Sequence, residues 1–294
     1  MLNIRVGHYT CLDKKTGISV FLFESEAIAV YHLCGAAPAS RELHVLEPTA
    51  TVPGIHGLCF AGGSAFGLNA TAGVMNFLKE QGKGFQTPHT TIPIVPAAAI
   101  YDCAISQAPP TAEDAYQACR AAIPENPMRG AIGAGRSATV GKMVAGTEPS
   151  PGGFGWHTVT LPHGIIVTAY AVVNCLGDVR NQQGDIIAGA RSKDQTFTDT
   201  EKFLLHNPYA NTASALNTTL VAVMTNARFS KAELSRIARV ASTGMARAIS
   251  PVFTRYDGDL IFCVTTNEVP AHENNVSVAA AEAVRLAIID AVSA

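Results

Sequence analysis

Residues 216 to 223 read Leu216-Asn217-Thr218-Thr219-Leu220-Val221-Ala222-Val223, two adjacent hydroxyl residues behind an asparagine at the mouth of an apolar strand. A threonine in this position has a specific chemistry open to it. Its hydroxyl can attack the carbonyl of the residue before it, and hydrolysis of the resulting ester frees an α-amine on the attacking residue. That amine titrates near about 7.7 to 8, against about 10.4 for a lysine, so it is the better base at neutral pH. A free N-terminal Thr therefore carries its own nucleophile and base. The tripeptide is also an ordinary strand entry, because Asn and Thr are common in turns and at strand ends.

Downstream of Thr218 the pattern is regular. A strand is expected over 220–225, a helix over 231–248 opened by a Ser230/Glu233 capping box, a strand over 259–265 and a helix over 276–292. Upstream, 18–23 and 27–31 are strand-like, 64–80 carries apolar residues at helical spacing up to Gln81-Gly82, and 111–122 reads as a helix with Glu113 and Asp114 in its first turn. The β-branched run 164–175 is a buried strand. Residues 193–215 are polar and rich in Asp, Thr and Asn, which predicts an exposed loop before the Asn217-Thr218 bond.

Asp257-Gly258-Asp259 admits two readings. In extended chain, residues i and i+2 share a face and bring two carboxylates together, where like charges perturb each other's protonation. Alternatively, Asp-Gly marks a hairpin turn and Asp259 starts the next strand. Gly62-Gly63-Ser64 reads as a helix N-terminus whose free N–H groups would bind a substrate carboxylate. The glycines of 130–142 do not build a nucleotide site. Five residues separate Gly135 from Gly141 where a phosphate loop has four, and Met143 follows Lys142 where that loop needs a hydroxyl. Gly130, Gly133 and Gly135 reverse the dinucleotide spacing, with a strand where a helix should open.

Composition bounds the rest. A chain of 294 residues, 48% hydrophobic and 15% charged, suits a single compact domain, and a net charge of -2 without a basic run argues against nucleic-acid and membrane partners. No leader-like segment opens the chain and no apolar stretch reaches the roughly 18 residues of a spanning helix, so a cytoplasmic protein is expected. Seven cysteines without C-x-x-C spacing read as buried small residues, and the nine histidines show no ligand spacing. No metal and no cofactor are expected.

Several segments in order along nearly the whole chain carry a resemblance. They are Asn3-Ile4-Arg5-Val6-Gly7-His8, Gly35-Ala36-Ala37-Pro38-Ala39-Ser40-Arg41-Glu42, Gly62-Gly63-Ser64-Ala65-Phe66-Gly67-Leu68-Asn69-Ala70, Ile94-Val95-Pro96-Ala97-Ala98-Ala99-Ile100-Tyr101-Asp102, Gly130-Ala131-Ile132-Gly133-Ala134-Gly135, Ala138-Thr139-Val140-Gly141-Lys142, Asn217-Thr218-Thr219 and Tyr256-Asp257-Gly258-Asp259. In these the chain resembles the self-processing family of D-aminopeptidase/esterases, β-aminopeptidases and nylon-oligomer hydrolases. Asn69, where an acid is expected, and Arg136-Ser137, where a smaller pair is expected, are departures.

The resemblance implies an α/β fold, a four-layer αββα sandwich, self-cleaved between Asn217 and Thr218 into chains 1–217 and 218–294 that stay together as a processed heterodimer and assemble into a homo-oligomer. It implies Thr218 as nucleophile on a short peptide, amino-acid amide or ω-amino-acid oligomer, with Asn174 and Tyr101 as oxyanion donors. Lys142 would be a cation near Asp257, Asp259 and the Thr218 amine. Gly63 and Ser64 would line the cleft, and Arg136 would meet a substrate carboxylate. Two other readings stand beside it: ornithine acetyltransferase-like acyl transfer on a similar fold, and an unprocessed, non-enzymatic binding protein.

Overall fold

The computed structural model describes residues 2–124, 128–208 and 217–294. Nine strands build the frame: β1 Ile4–Cys11, β2 Thr16–Leu33, β3 Ala39–Arg41, β4 Ile55–Ala61, β5 Ala97–Ala99, β6 Gly153–Leu161, β7 Ile165–Asn174, β8 Thr218–Arg228 and β9 Leu260–Pro270. The helices are α1 Ser64–Gly67, α2 Thr71–Glu80, α3 Ala112–Arg120, α4 Thr200–His206, α5 Lys231–Ala248 and α6 Glu273–Ser293.

The 18-residue β2 belongs to two sheets. Its first half pairs antiparallel with β1 and β4, and β5 and then β3 extend that sheet. Its second half pairs with β9, which continues through β8 and β7 to β6. Between the halves lie Glu24, Ser25 and Glu26, all exposed, and the register with β4 shifts between Leu22 and Ala27. The two strands expected over 18–23 and 27–31 are therefore one strand, bent at its charged tripeptide.

Alternation of side chains across each strand sorts the core into three layers. Ile18, Val20 and Leu22 of β2 face α2 and α3 with Val74, Leu78, Ala115 and Ala118. Phe21 and Phe23 turn the other way and meet Phe60, Tyr170, Val172, Leu220, Ala222 and Phe262 between the sheets. Val221, Val223, Ile261 and Cys263 pack on the far side against α5 and α6 through Leu234, Ile237, Ala280 and Val284. Helices, sheet, sheet, helices is the expected αββα sandwich. Full burial of each large apolar side chain contributes about 1.5–3 kcal/mol, and the inter-sheet layer adds the edge-on contact of the Phe21 and Phe60 rings, centroids 5.3 Å apart.

Local signals decide the helix ends. Ser230 accepts from the Glu233 N–H while Glu233 accepts from that of Ser230, the expected capping box, and Thr111 with Asp114 repeats it on α3. The helix expected over 64–80 is α1 and α2 joined by a 3-10 turn at Leu68–Ala70. The expected loop over 193–215 is corrected in part: α4 forms there, capped by Asp199, whose carboxylate accepts from the Lys202 N–H, while 209–216 lies outside the described residues. Five cysteines are buried, but Cys34 is half-buried and Cys103 exposed; all seven are free. No helix among the described residues is long and apolar enough to cross a membrane.

Candidate active site

Strand register brings the distant site residues together. Thr218 opens β8 and lies opposite Asn174, the last residue of β7. On its other edge β8 runs parallel to β9 with Leu220 opposite Leu260, and the pairing carries back to a bridge between Asn217 and Asp257. Thr218 thus faces Gly258, and Thr219 faces Asp259. The turn reading of Asp257-Gly258 gives way to an extended segment that prolongs the sheet.

The peptide around the Asn217-Thr218 bond is held at every polar atom for which a contact is resolved. The Asn217 N–H donates to the Tyr256 carbonyl at 3.1 Å, the Asn217 carbonyl accepts from the Gly258 N–H at 2.7 Å, and the Thr219 N–H donates to Asp259 Oδ1 at 2.6 Å. The Thr218 hydroxyl donates to the same Asn217 carbonyl oxygen at 2.5 Å. Thr218 and Asn217 are both buried. A hydroxyl therefore lies against the carbonyl of the bond it would attack.

Alternation assigns the faces. Thr218 shares parity with Leu220 and Ala222, and Asn174 with Val172, so both project between the sheets; Asp259 shares parity with Ile261 and lies behind the strand toward α5. Asp259 consequently grips the Thr219 backbone and, at 3.4 Å, the Phe253 N–H. Asp257 accepts from the Thr254 N–H and hydroxyl at 2.8 and 2.7 Å, closing the turn that leads into the segment. The two carboxylates are neighbours, as the spacing predicts, but their resolved hydrogen bonds go to backbone and Thr254. Burial pushes both above the usual carboxylate range, and the Asp257 charge helps push Asp259 up to about 8.

Lys142 reaches Asn174. Its Nζ donates to Asn174 Oδ1 at 2.8 Å and to the Asn174 carbonyl at 3.2 Å. Loss of water brings the ammonium down to about 8, against the pull of the nearby Asp257, Asp102 and Asp259 carboxyl groups. Asn174 Oδ1 also accepts from the Thr139 N–H, and Nδ2 donates to the Tyr101 carbonyl at 3.0 Å. Three groups, Lys142, Thr139 and Tyr101, thus fix the Asn174 side-chain amide and leave one Nδ2 hydrogen for a ligand. Tyr101 lines a cavity of about 50 Å³ with Asp102, Ala104, Ile105, Ser137, Thr139 and Lys142. Arg136 is not among these lining residues, and its Nε is buried without a partner.

The expectation for Gly63 and Ser64 is corrected. The Gly63 N–H donates at 2.7 Å to Oδ1 of Asp102, and the Ser64 N–H to the Ile100 carbonyl at 2.9 Å, so neither is free for a substrate carboxylate. Asp102 also accepts from Thr16 Oγ1 at 2.8 Å and Ser106 Oγ at 3.1 Å. Sequence reasoning passed over Asp102 because its partners lie far along the chain, and passed over Gly258 because its contribution is a backbone N–H. Among the described residues no three His, Cys, Asp or Glu side chains gather in a metal-holding group.

The arrangement sets a threonine hydroxyl against an amide carbonyl at the end of a strand in an αββα sandwich. The chain belongs to peptidase family S58, matched over residues 2–294, and is by family an amide or peptide hydrolase. An uncharacterized aminopeptidase of Mycobacterium leprae (strain TN) is 35% identical over 295 residues, covering 91% of this chain and 78% of the relative. The 6-aminohexanoate-oligomer endohydrolase of Kocuria sp. (strain KY2) is 31% identical over 223 residues, 73% of this chain and 61% of that one. In fold the chain is similar to a β-aminopeptidase of a Burkholderia species, with TM-score 0.74 and 17% identity over 98% of this chain and 84% of that one. It is similar also to the L-aminopeptidase D-Ala-esterase/amidase of Ochrobactrum anthropi, described as a variant among the Ntn hydrolase fold, with TM-score 0.73 and 17% identity over 98% and 83%.

Proposed function

We propose that the chain cleaves itself between Asn217 and Thr218 and that the freed Thr218 is the nucleophile of an aminopeptidase or amidase acting on short peptides, amino-acid amides or ω-amino-acid oligomers. The observation that carries this reading is the Thr218 hydroxyl 2.5 Å from the Asn217 carbonyl oxygen, in a peptide clamped by Tyr256, Gly258 and Asp259. Hydrolase relatives named for 6-aminohexanoate oligomers support linear amides as substrates.

In the mature enzyme Thr218 Oγ attacks the substrate carbonyl, its own α-amine takes the proton and passes it to the leaving amine, and water hydrolyses the acyl-enzyme. The remaining Asn174 N–H and the Tyr101 hydroxyl serve the oxyanion. Lys142 fixes the Asn174 amide and places positive charge by the amine. Asp257 and Asp259 position the strand entry through its backbone.

A denaturing gel with N-terminal sequencing tests the proposal. Wild type is expected as two bands with Thr218 opening the smaller, and Thr218→Ala as one band without hydrolysis. A cleaved, active Thr218→Ala protein rules out the assignment. Product analysis with added amine acceptors separates hydrolysis from acyl transfer, and dominant transfer would select the acetyltransferase-like reading.

A further inference from the structure

We propose that the backbone N–H of Gly258 is the oxyanion donor of the self-cleavage step, distinct from the Asn174 and Tyr101 groups of the mature site. The inference rests on the self-cleavage reading. It starts from the carbonyl that would carry the charge: the Asn217 oxygen receives the Gly258 N–H at 2.7 Å while the Thr218 hydroxyl lies 2.5 Å from it.

Space explains why this residue is a glycine. Gly258 is not among the residues with positive φ, so its backbone would accept any side chain. A Cβ there would instead come 2.7 Å from Thr218 Oγ1, 2.6 Å from the Ala37 carbonyl oxygen and 3.1 Å from Pro38 Cα. Only a residue without a side chain lets this segment place its N–H on the Asn217 carbonyl while Thr218 and Ala37 pack this close.

The donor is also fixed before reaction. On the far side of the segment the Ala37 N–H donates to the Asp257 carbonyl at 2.9 Å, and the Cys34 and Gly35 N–H groups to the Asp259 carbonyl at 2.9 and 3.0 Å. Held from both flanks, the Gly258 N–H needs no reorganisation when charge develops, the condition under which such donors are most effective.

The step balances without a co-reactant. The Thr218 Oγ–Asn217 C bond forms as the carbonyl π pair moves onto oxygen, facing the Gly258 N–H. The pair returns as the C–N bond breaks, and the hydroxyl proton ends on the Thr218 amine. Water then hydrolyses the ester, restoring the hydroxyl and leaving a carboxylic acid on Asn217.

The test replaces the Asp257–Gly258 amide by an ester in the full chain, by semisynthesis, which deletes the N–H and adds no bulk. Cleavage is followed on denaturing gels beside an all-amide chain assembled the same way. The ester chain is expected to cleave about 100-fold more slowly, the usual cost of one oxyanion donor. Equal rates overturn the donor assignment alone. An all-amide chain that never cleaves overturns the self-cleavage reading itself, and the donor with it. Because the ester chain has to refold, amide hydrogen exchange in Thr218→Ala gives a second measurement: the Gly258 N–H is expected to exchange at least ~100-fold more slowly than in open chain, and unprotected exchange also overturns the assignment.

Discussion

Two glycine N–H groups flank the site at the same donor distance of 2.7 Å, Gly63 on the Asp102 carboxylate and Gly258 on the Asn217 carbonyl. Their acceptors differ in kind. Asp102 is a buried carboxyl group that also gathers Thr16 and Ser106, and it fixes the Gly63 turn, whose φ of 81° and contact with Pro109 require glycine. The Asn217 carbonyl belongs to the bond that the proposed reaction breaks. Equal hydrogen bonds thus do different work: one holds shape, and the other is available to chemistry because its acceptor is consumed.

The largest stability effect is expected on the structural side. Asp102→Ala strands the Gly63 N–H and two hydroxyls, and should cost about 3 kcal/mol, read as a lower urea midpoint. A midpoint unchanged within about 0.5 kcal/mol would erase the distinction between the two glycines.

Asp259 sits on the reactive side, and its signature is pH dependence. Its folded pKa, about 8, exceeds an unfolded value near about 3.9, so its stability contribution is complete below the unfolded value and is lost as pH rises through the folded one. Asp259→Asn removes that slope. The stability of the variant relative to wild type should therefore grow from pH 5 to pH 8.5 in parallel urea titrations, and a constant difference would show that burial does not tax this carboxylate.

Lys142→Met should move the acidic limb of hydrolysis toward higher pH by on the order of one unit, because a nearby positive charge lowers the pKa of the Thr218 amine. Since the ammonium itself titrates at about 8, the two profiles should converge above that pH. Coincident limbs would confine Lys142 to holding Asn174. The smallest effect is assigned to Arg136: Arg136→Gly should raise KM for substrates with a free carboxylate by roughly threefold, and leave their amides alone. Equal shifts for acid and amide would show that Arg136 makes no contact with the substrate carboxylate.

What could be read from sequence follows the range of each interaction. The 231–248 helix and its cap were legible because Ser230 and Glu233 are three residues apart, and the strand after Thr218 because alternating burial has a local period. Motif order was enough to single out Thr218, Lys142 and the paired acids, and the resemblance to add Asn174, residues that strand register brings together. The roles of the acids were not, because side-chain parity in a parallel strand 40 residues away decides that Asp259 faces Thr219 and α5. Asp102 joins Thr16 across 86 residues and Gly63 across 39, a convergence that no local pattern announces. The strand-like runs 18–23 and 27–31 read as two because the exposed Glu24, Ser25 and Glu26 interrupt the apolar pattern of what is one strand.

The order of strands in the second sheet has a consequence for a chain severed after Asn217. β8 and β9, both from the shorter piece, lie side by side with β7 and β2 of the longer piece hydrogen-bonded along their outer edges. The shorter piece would be a middle plank, locked by two ladders and roofed by its own helices. Severing the backbone at that point would add a new amine and a new acid without opening a seam, so the pieces should travel as one body through dilution and part only when the whole sheet melts.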